Sequence, residues 1–298
     1  MKILVTGGAG FVGTNLIKRL LSDGHQVTSV DNYMTGFERN HQVGATYHNY
    51  DVASEHTLGI YVDYGTYPTW RETKYDVIYH MAALARIQPS LKNPLQTIRN
   101  NFISTLNMLE YARQKNIRFV YAGSSSFHHG LYESPYAWSK FSGEDLCKLY
   151  SNVYDMDTAI CRFYNVYGPY QIESGAYATV LGIFQQQHRD GEPLTIVGDG
   201  EQRRDFTHID DIVDGVIRCS QQPFRGEIFE LGRGVNFSIN EIADMFGKDY
   251  PKEYIPPRKF VSKRDGEYDV TLADYSLAKK VLNWEPTRNI YDYIKESI

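Results

Sequence analysis

The sequence predicts an α/β protein, a doubly wound parallel sheet with a smaller C-terminal domain. Three observations carry that prediction. Short apolar runs alternate with helical patterns through the first half of the chain, the order that parallel strands and crossover helices require. A glycine-rich turn joins the first strand to the first helix. After Gly168 the alternation gives way to shorter, mixed elements and Pro256-Pro257. The division read from this change is 1–166 with 205–229 for one domain and 167–204 with 230–298 for the other.

Lys2 to Thr6 is an apolar run too short for a helix and suited to a buried strand. From Phe11, the residues Val12, Leu16, Ile17, Leu20 and Leu21 recur at helical spacing. Gly7, Gly10 and Gly13 stand between them, giving a tight turn, a close backbone approach and close helix packing. Unpaired N–H groups and the helix dipole then favour a diphosphate. A second strand, 26–30, ends in Asp31, which is placed to accept hydrogen bonds from an adenosine ribose and would repel a 2′-phosphate. This is the Rossmann pattern, and it favours NAD over NADP.

The order continues with a loop at 32–40 and a strand at 45–49, followed by Asp51, which is either an adenine ligand or a surface acid. A buried strand at 76–79 runs into His80-Met-Ala-Ala-Leu-Ala85, whose small residues allow backbone close to a ligand. Asn93-Pro94 opens a long helix through Asn101, Leu106, Leu109 and Ala112. A strand at 117–122 ends in Gly123-Ser-Ser-Ser126, and Pro135-Tyr136 begins a helix reaching about Tyr154. A sixth strand spans 158–162. Beyond it lie a helix at 178–187, a strand at 192–197 and a core-facing helix after Asp210.

A net charge of −5 without a basic run argues against a nucleic-acid partner. No apolar stretch is long enough for a membrane span, and the first residues already read as a core strand, so a cytoplasmic protein is expected. Cys147, Cys161 and Cys219 lack metal-ligand spacing and read as buried thiols, and no metal site is expected.

Tyr136 and Lys140 are four residues apart and share a helix face. A charge pair at about 4 Å and an effective dielectric of about 20 is worth about 4 kcal/mol. Lowering a tyrosine from about 10 toward about 7 takes a similar amount. One close lysine, helped by an oxidised nicotinamide, is therefore enough to make Tyr136 a base. Ser124, Ser125 and Ser126 lie at a strand's carboxyl end, where open α/β sheets bind ligands.

The motifs G-G-A-G-F-V-G, D-N, H-M-A-A, S-S-S, Y-A-W-S-K, R-F-Y-N-V-Y-G-P and V-G-D-G-E-Q-R-R-D-F occur in that order. With them the chain, over essentially its whole length, resembles the extended short-chain dehydrogenase/reductases. Within these it is similar to the NAD-dependent nucleotide-sugar epimerases and dehydratases, above all the UDP-glucose and UDP-N-acetylglucosamine 4-epimerases. The resemblance implies NAD contacts by Gly7, Gly10, Phe11, Val12, Asp31, Asn32, Asp51, Ala82, Ala83, Asn101, Tyr136 and Lys140. It implies Tyr136 as base with Ser125 as partner, and Ser125 and Ser126 both stand as candidates for the active-site hydroxyl. Asn165 would face the substrate phosphates, and Arg204 and Arg264 would clamp the UDP diphosphate. Thr271, seven positions after Arg264, would face the sugar's C2 substituent and leave room for an N-acetyl group.

A homodimer is also implied, formed through the helices that begin near Asn93 and Pro135. Ile98, Phe102, Leu106, Leu109, Phe141, Leu146 and Leu149 serve either that seam or the sheet. The chain departs from the family in the short stretch 131–135 before Tyr136, which removes a pocket wall. Three activities are weighed: 4-epimerisation, 4,6-dehydration or decarboxylation on the same scaffold, and NAD binding without catalysis. Dehydration needs an acid pair where Ser126 and Phe127 stand, so epimerisation is favoured.

Overall fold

The computed structural model describes residues 1–58, 69–247, 256–264, 266 and 268–298. Six strands, β1 (Lys2–Thr6), β2 (Gln26–Asp31), β3 (Thr46–Asn49), β4 (Val77–His80), β5 (Arg118–Ser124) and β6 (Thr158–Phe163), join a seventh, Arg225–Leu231, in one sheet. The order is β3-β2-β1-β4-β5-β6 with the seventh beside β6, and every pairing is parallel. The alternation of side chains explains why both faces are covered. Ile3, Val5, Val77, Tyr79, Val120, Ala159 and Cys161 enter one buried cluster, while Leu4, Ile78, Phe119, Tyr121 and Ile160 enter another.

Helix α1 (Phe11–Ser22) packs on the first face. The second face takes the segment that opens with the short α2 (Ile87–Lys92) and runs through α3 (Pro94–Ile98) and α4 (Ser104–Lys115) to the long α5 (Pro135–Tyr154). The helix expected from Pro94 is present, but a π-turn at Arg99–Ile103 divides it. Helix α2 is not anticipated by the sequence reading, because Pro89 breaks the helical pattern. In so short a helix, the proline falls in the first turn, where its missing N–H costs nothing. Because β1 continues to β2 on one side and lies beside β4 on the other, the chain reverses direction between β1 and β4. Such a switch point opens a crevice at the carboxyl ends of the strands.

Beyond β6 three small strand pairs surround a third apolar cluster. Val166–Tyr167 pairs with Thr207–His208, Leu194–Val197 with Arg258–Val261, and Arg203–Asp205 with Asn236–Ser238. The cluster includes Phe184, Leu194, Ile196, Ile242, Phe246, Ile290 and Ile294. Two segments pack across the division drawn from composition. Phe206 belongs to this third cluster, whereas Ala278, Leu282 and Trp284 of the tail join the first. Among the described residues no helix is long and apolar enough to cross a membrane.

Candidate active site

At the switch point lies a cavity of about 450 Å³. One end is formed by the turn after β1. Gly7 has φ +72°, and a Cβ there would stand 2.8 Å from the Ala82 backbone. A Cβ on Gly13 would run into the Gly7 carbonyl oxygen, so helix and turn touch backbone to backbone. Gly10 differs: a Cβ there would meet only the Gly7 oxygen, at 3.3 Å, and the residue lines open cavity with Phe11 and Val12. A dinucleotide diphosphate fits that cradle, bare of side chains and beside the first turn of α1.

Asp31 is buried at the end of β2. Its Oδ2 accepts from the Ala9 N–H at 2.9 Å and its Oδ1 from the Tyr33 N–H at 2.8 Å. Burial raises its pKa, and these two donors oppose the shift. The carboxylate is thus fixed in orientation with acceptor capacity left over for ribose hydroxyls. Asn32 and Asp51 line the same end, as do Ala82 and Ala83. Asp51 Oδ1 accepts from the Ala53 N–H at 2.9 Å, and its Oδ2 lies 3.3 Å from Arg99.

The other end is built on α5. Ser134 caps that helix by accepting from the Ala137 N–H at 3.1 Å, and Pro135 occupies its first position. Tyr136 is thereby locked into the first turn, facing the end of β5. Its hydroxyl donates to Ser124 Oγ at 3.3 Å. The implied partner is Ser125, so the structure corrects this pairing by one residue. Strand β5 runs two residues beyond 122, with Gly123 and Ser124 still paired to Arg162 and Phe163 of β6. Ser124 therefore takes the strand-end place, and it also accepts from the Ser126 N–H and Oγ at 3.2 and 2.9 Å. Ser125 and Ser126 remain in the cavity wall.

Lys140 and Asn101 do not line the cavity. Lys140 is buried with its ammonium 4.4 Å from the Tyr121 ring centroid, and burial pulls its pKa down to about 8 against the pull of Glu144. Among the described residues no hydrogen bond joins it to Tyr136. Burial raises the Tyr136 pKa, opposed by the Ser124 hydrogen bond and by the charge of Arg86, a residue that sequence reasoning did not single out. Asn101, inside the π-turn, accepts from the Leu84 N–H at 2.7 Å and donates to the Leu84 carbonyl and to Ser139 Oγ. It ties the 82–86 strip to α5 from behind.

The short stretch before Tyr136 leaves no ragged edge. The Phe127 ring lies 3.7 Å under the Arg162 guanidinium, which Glu144 holds with contacts of 2.7 to 3.1 Å. Next to it, His128 Nε2 contacts Glu230 Oε1 at 2.5 Å. Burial alone would raise Glu230, but donors from His128, Tyr164 and the Asp274 backbone hold it at about 2. The Arg162–Glu144 ion pair is buried and costly to break, and the Phe127 ring that rests on it is anchored with it.

Opposite stand Asn165, Arg204, Arg264 and Thr271, all lining the cavity, together with Tyr268, which the sequence gave no reason to choose. Asp265 and Glu267 of the K-R-D-G-E motif lie outside the described residues. Fully buried Asp205 accepts from the backbone N–H groups of Arg233, Gly234 and Ala273 at 2.8 to 3.1 Å, bracing the strand that carries Arg204. Thr271 Oγ1 accepts from Asn165 Nδ2 at 3.1 Å and from the Asp205 N–H at 3.0 Å. Its oxygen is committed inside the protein, and only its O–H is left to offer a ligand.

The chain is similar to known proteins in sequence and in fold. The chain is 32% identical to a UDP-glucuronate 4-epimerase of Thermodesulfobacterium geofontis, over 99% of this chain and 94% of the relative. It is 31% identical to a UDP-glucose 4-epimerase of Mycolicibacterium smegmatis, over 100% and 97%. The crystal structure of a UDP-glucose 4-epimerase with UDP-glucose from Thermotoga maritima superposes with a TM-score of 0.89 at 27% identity, covering 100% of this chain and 97% of that one. Residues 3–232 match the model of the NAD dependent epimerase/dehydratase family, and the chain belongs to that family.

Proposed function

We propose that the chain catalyses the 4-epimerisation of a UDP-sugar through a transient 4-keto sugar, acting on the UDP-glucose/galactose pair and on the corresponding N-acetylhexosamines. The reading rests on one observation above all. The Tyr136–Ser124 hydrogen bond stands at the strand end of the same cavity that holds the glycine turn and Asp31. NAD, which the glycine turn and Asp31 would hold, would supply the hydride chemistry at C4. Tyr136 receives the O4 proton and gives it back, while Ser124 orients both hydroxyls. Lys140, with its pKa at about 8, stays largely charged at neutral pH behind the base. Arg204, Arg264 and Asn165 hold the UDP, and Ala176 and Ala178 leave space for the keto sugar to turn. Loss of water is not favoured: Phe127 cannot move a proton, and its ring is committed to Arg162.

We assign 1–166 with 205–229 to NAD and 167–204 with 230–298 to the UDP-sugar. The buried thiols of Cys147, Cys161 and Cys219 support a cytoplasmic setting. A homodimer through α3, α4 and α5 accounts for Leu149 being 50% exposed, whereas Leu109 belongs to the sheet core. Sedimentation at micromolar concentration tests it.

Purified protein incubated with UDP-glucose, UDP-N-acetylglucosamine and UDP-glucuronate, with products identified by NMR, tests the reaction. The 4-epimers are expected. A 4-keto-6-deoxy sugar or a pentose as main product would replace this reading by dehydration or decarboxylation.

A further inference from the structure

We propose that Glu230 is the positioning residue of the sugar end, one carboxylate that sets the turn after the serines, the strip before Asn165 and the segment after Thr271 against one another; the inference rests on the 4-epimerase reading above. Glu230 is the last residue but one of the seventh strand, in register with Arg162 of β6. Only 15% of its side chain is exposed. Its Oε1 meets His128 Nε2 at 2.5 Å, and its Oε2 accepts from the Tyr164 hydroxyl at 2.7 Å and from the Asp274 N–H at 2.9 Å. His128 follows Ser126 by two residues, Tyr164 immediately precedes Asn165, and Asp274 follows Thr271 by three. Three stretches far apart in sequence, each carrying residues that line the cavity, therefore end on one carboxylate. Glu230, His128, Tyr164 and Asp274 do not line the cavity themselves, so Glu230 acts through the segments it ties.

Two further observations put the junction at this strand end. A Cβ on Gly232 would stand 2.3 Å from the Ala273 side chain and 3.0 Å from the Tyr164 ring, so a side chain there would force two of the three segments apart. Arg162 Nη1 lies 3.8 Å from Glu230, while Glu144 holds the same guanidinium at 2.7 to 3.1 Å. The Glu144 carboxylate lies 2.7 Å from where a Cβ on Gly123 would stand, so charges of alternating sign run from Glu230 to the residue before Ser124. Burial would raise the Glu230 pKa, but its donors hold it at about 2, and the carboxylate stays ionised at any working pH. Hydrogen bonds to an ionised acceptor are the stronger kind. The turn after the serines is joined to α5 by the short stretch 131–135, and Glu230 supplies its link to the C-terminal segments.

The test uses holoenzyme of wild type, Glu230→Ala and Tyr164→Phe, with UDP-glucose kinetics, NAD titration and amide hydrogen exchange. Glu230→Ala should raise KM for UDP-glucose about 10-fold or more and lower kcat, with NAD affinity changed less than about threefold. A fall in kcat at unchanged KM is what fewer folded molecules would give, and it overturns the proposal. Tyr164→Phe cuts one tie and keeps the ring. It should raise KM less, and add nothing in the Glu230→Ala background. Additive losses would make the ties independent contacts and overturn the proposal. Exchange needs no turnover. Glu230→Ala should speed it in 125–129, 164–165 and 271–274 together and leave 7–13 and 31–33 as in wild type. No change in the first three, a change in one alone, or an equal change at the cofactor end overturns the proposal. Should Glu230→Ala not fold, Glu230→Gln, which keeps the shape and loses the charge, is read in the same way. If wild type converts no UDP-sugar, the 4-epimerase reading fails separately, and exchange still decides the role of Glu230.

Discussion

The two ends of the cavity are built in opposite ways. At the adenosine end the recognition surface is backbone, a glycine turn and the N–H groups of Ala9 and Tyr33 that fix Asp31, all in one stretch near the N-terminus. At the sugar end it is side chains gathered from 86, 124, 136, 165, 204, 264 and 271, scattered along the chain. Backbone recognition accepts a constant ligand and tolerates little change. Side-chain recognition can be retuned one residue at a time while the cofactor end stays as it is.

That contrast can be broken by substitution, and the largest effect is expected at Tyr136. Tyr136→Phe should lower kcat by about 10³-fold or more with NAD affinity nearly unchanged, as a base removed from a preformed site would. Steady-state kinetics and NAD titration on one preparation check both halves. Asp31→Ala should act on the other end alone. NAD affinity should fall about 10-fold or more with the loss of charge-assisted hydrogen bonds, and discrimination against NADP should relax. Wild type that binds NADP as well as NAD would remove the ribose assignment.

Thr271→Tyr should depress turnover of UDP-N-acetylglucosamine at least about 10-fold more than that of UDP-glucose, since a bulky ring fills the C2 space. Because Thr271 also braces Asn165 and Asp205, Thr271→Ser serves as the control that keeps the hydroxyl. If the tyrosine variant loses both activities equally, Thr271 is a brace and not a gate.

The smallest effect concerns the frame beneath both ends. His80 is fully buried between Thr6 and Thr105, and burial lowers its pKa to about 3. An unfolded histidine titrates near about 6.5, so between about 6.5 and 3 the unfolded chain holds a proton that the folded chain does not. Stability from this group is therefore complete above about pH 6.5 and is lost as pH falls toward about 3, about 2 kcal/mol of it by pH 5. Urea midpoints at pH 7 and pH 5 should differ less in His80→Gln than in wild type. An unchanged difference would show that His80 is not the titrating group.

The same contrast explains what could be read from the sequence. Parallel strands covered on both faces leave continuous apolar runs, so β1 to β6 were visible as spacing, whereas the strand order that opens the switch-point crevice was not. The NAD end was visible for a related reason, since its glycines and Asp31 belong to one local βαβ unit. The sugar end has no such spacing. Ser124 displaced Ser125 because β5 extends two residues further, a detail settled by pairing with β6. Arg86 and Tyr268 carry no periodic signature, and their place in the cavity arises only from the packed chain. Lys140 and Asn101 were singled out by motif, yet both stand behind the wall they support.

The claim that the reaction runs through C4 is tested most directly by isotope. UDP-glucose carrying deuterium at C4 is converted by the wild-type protein in ordinary water, and the product is examined by NMR. The account predicts a galacto product with deuterium retained at C4 and no solvent exchange at C3 or C5. A product that has lost the C4 deuterium to water would contradict a 4-keto intermediate whose hydride returns within the site.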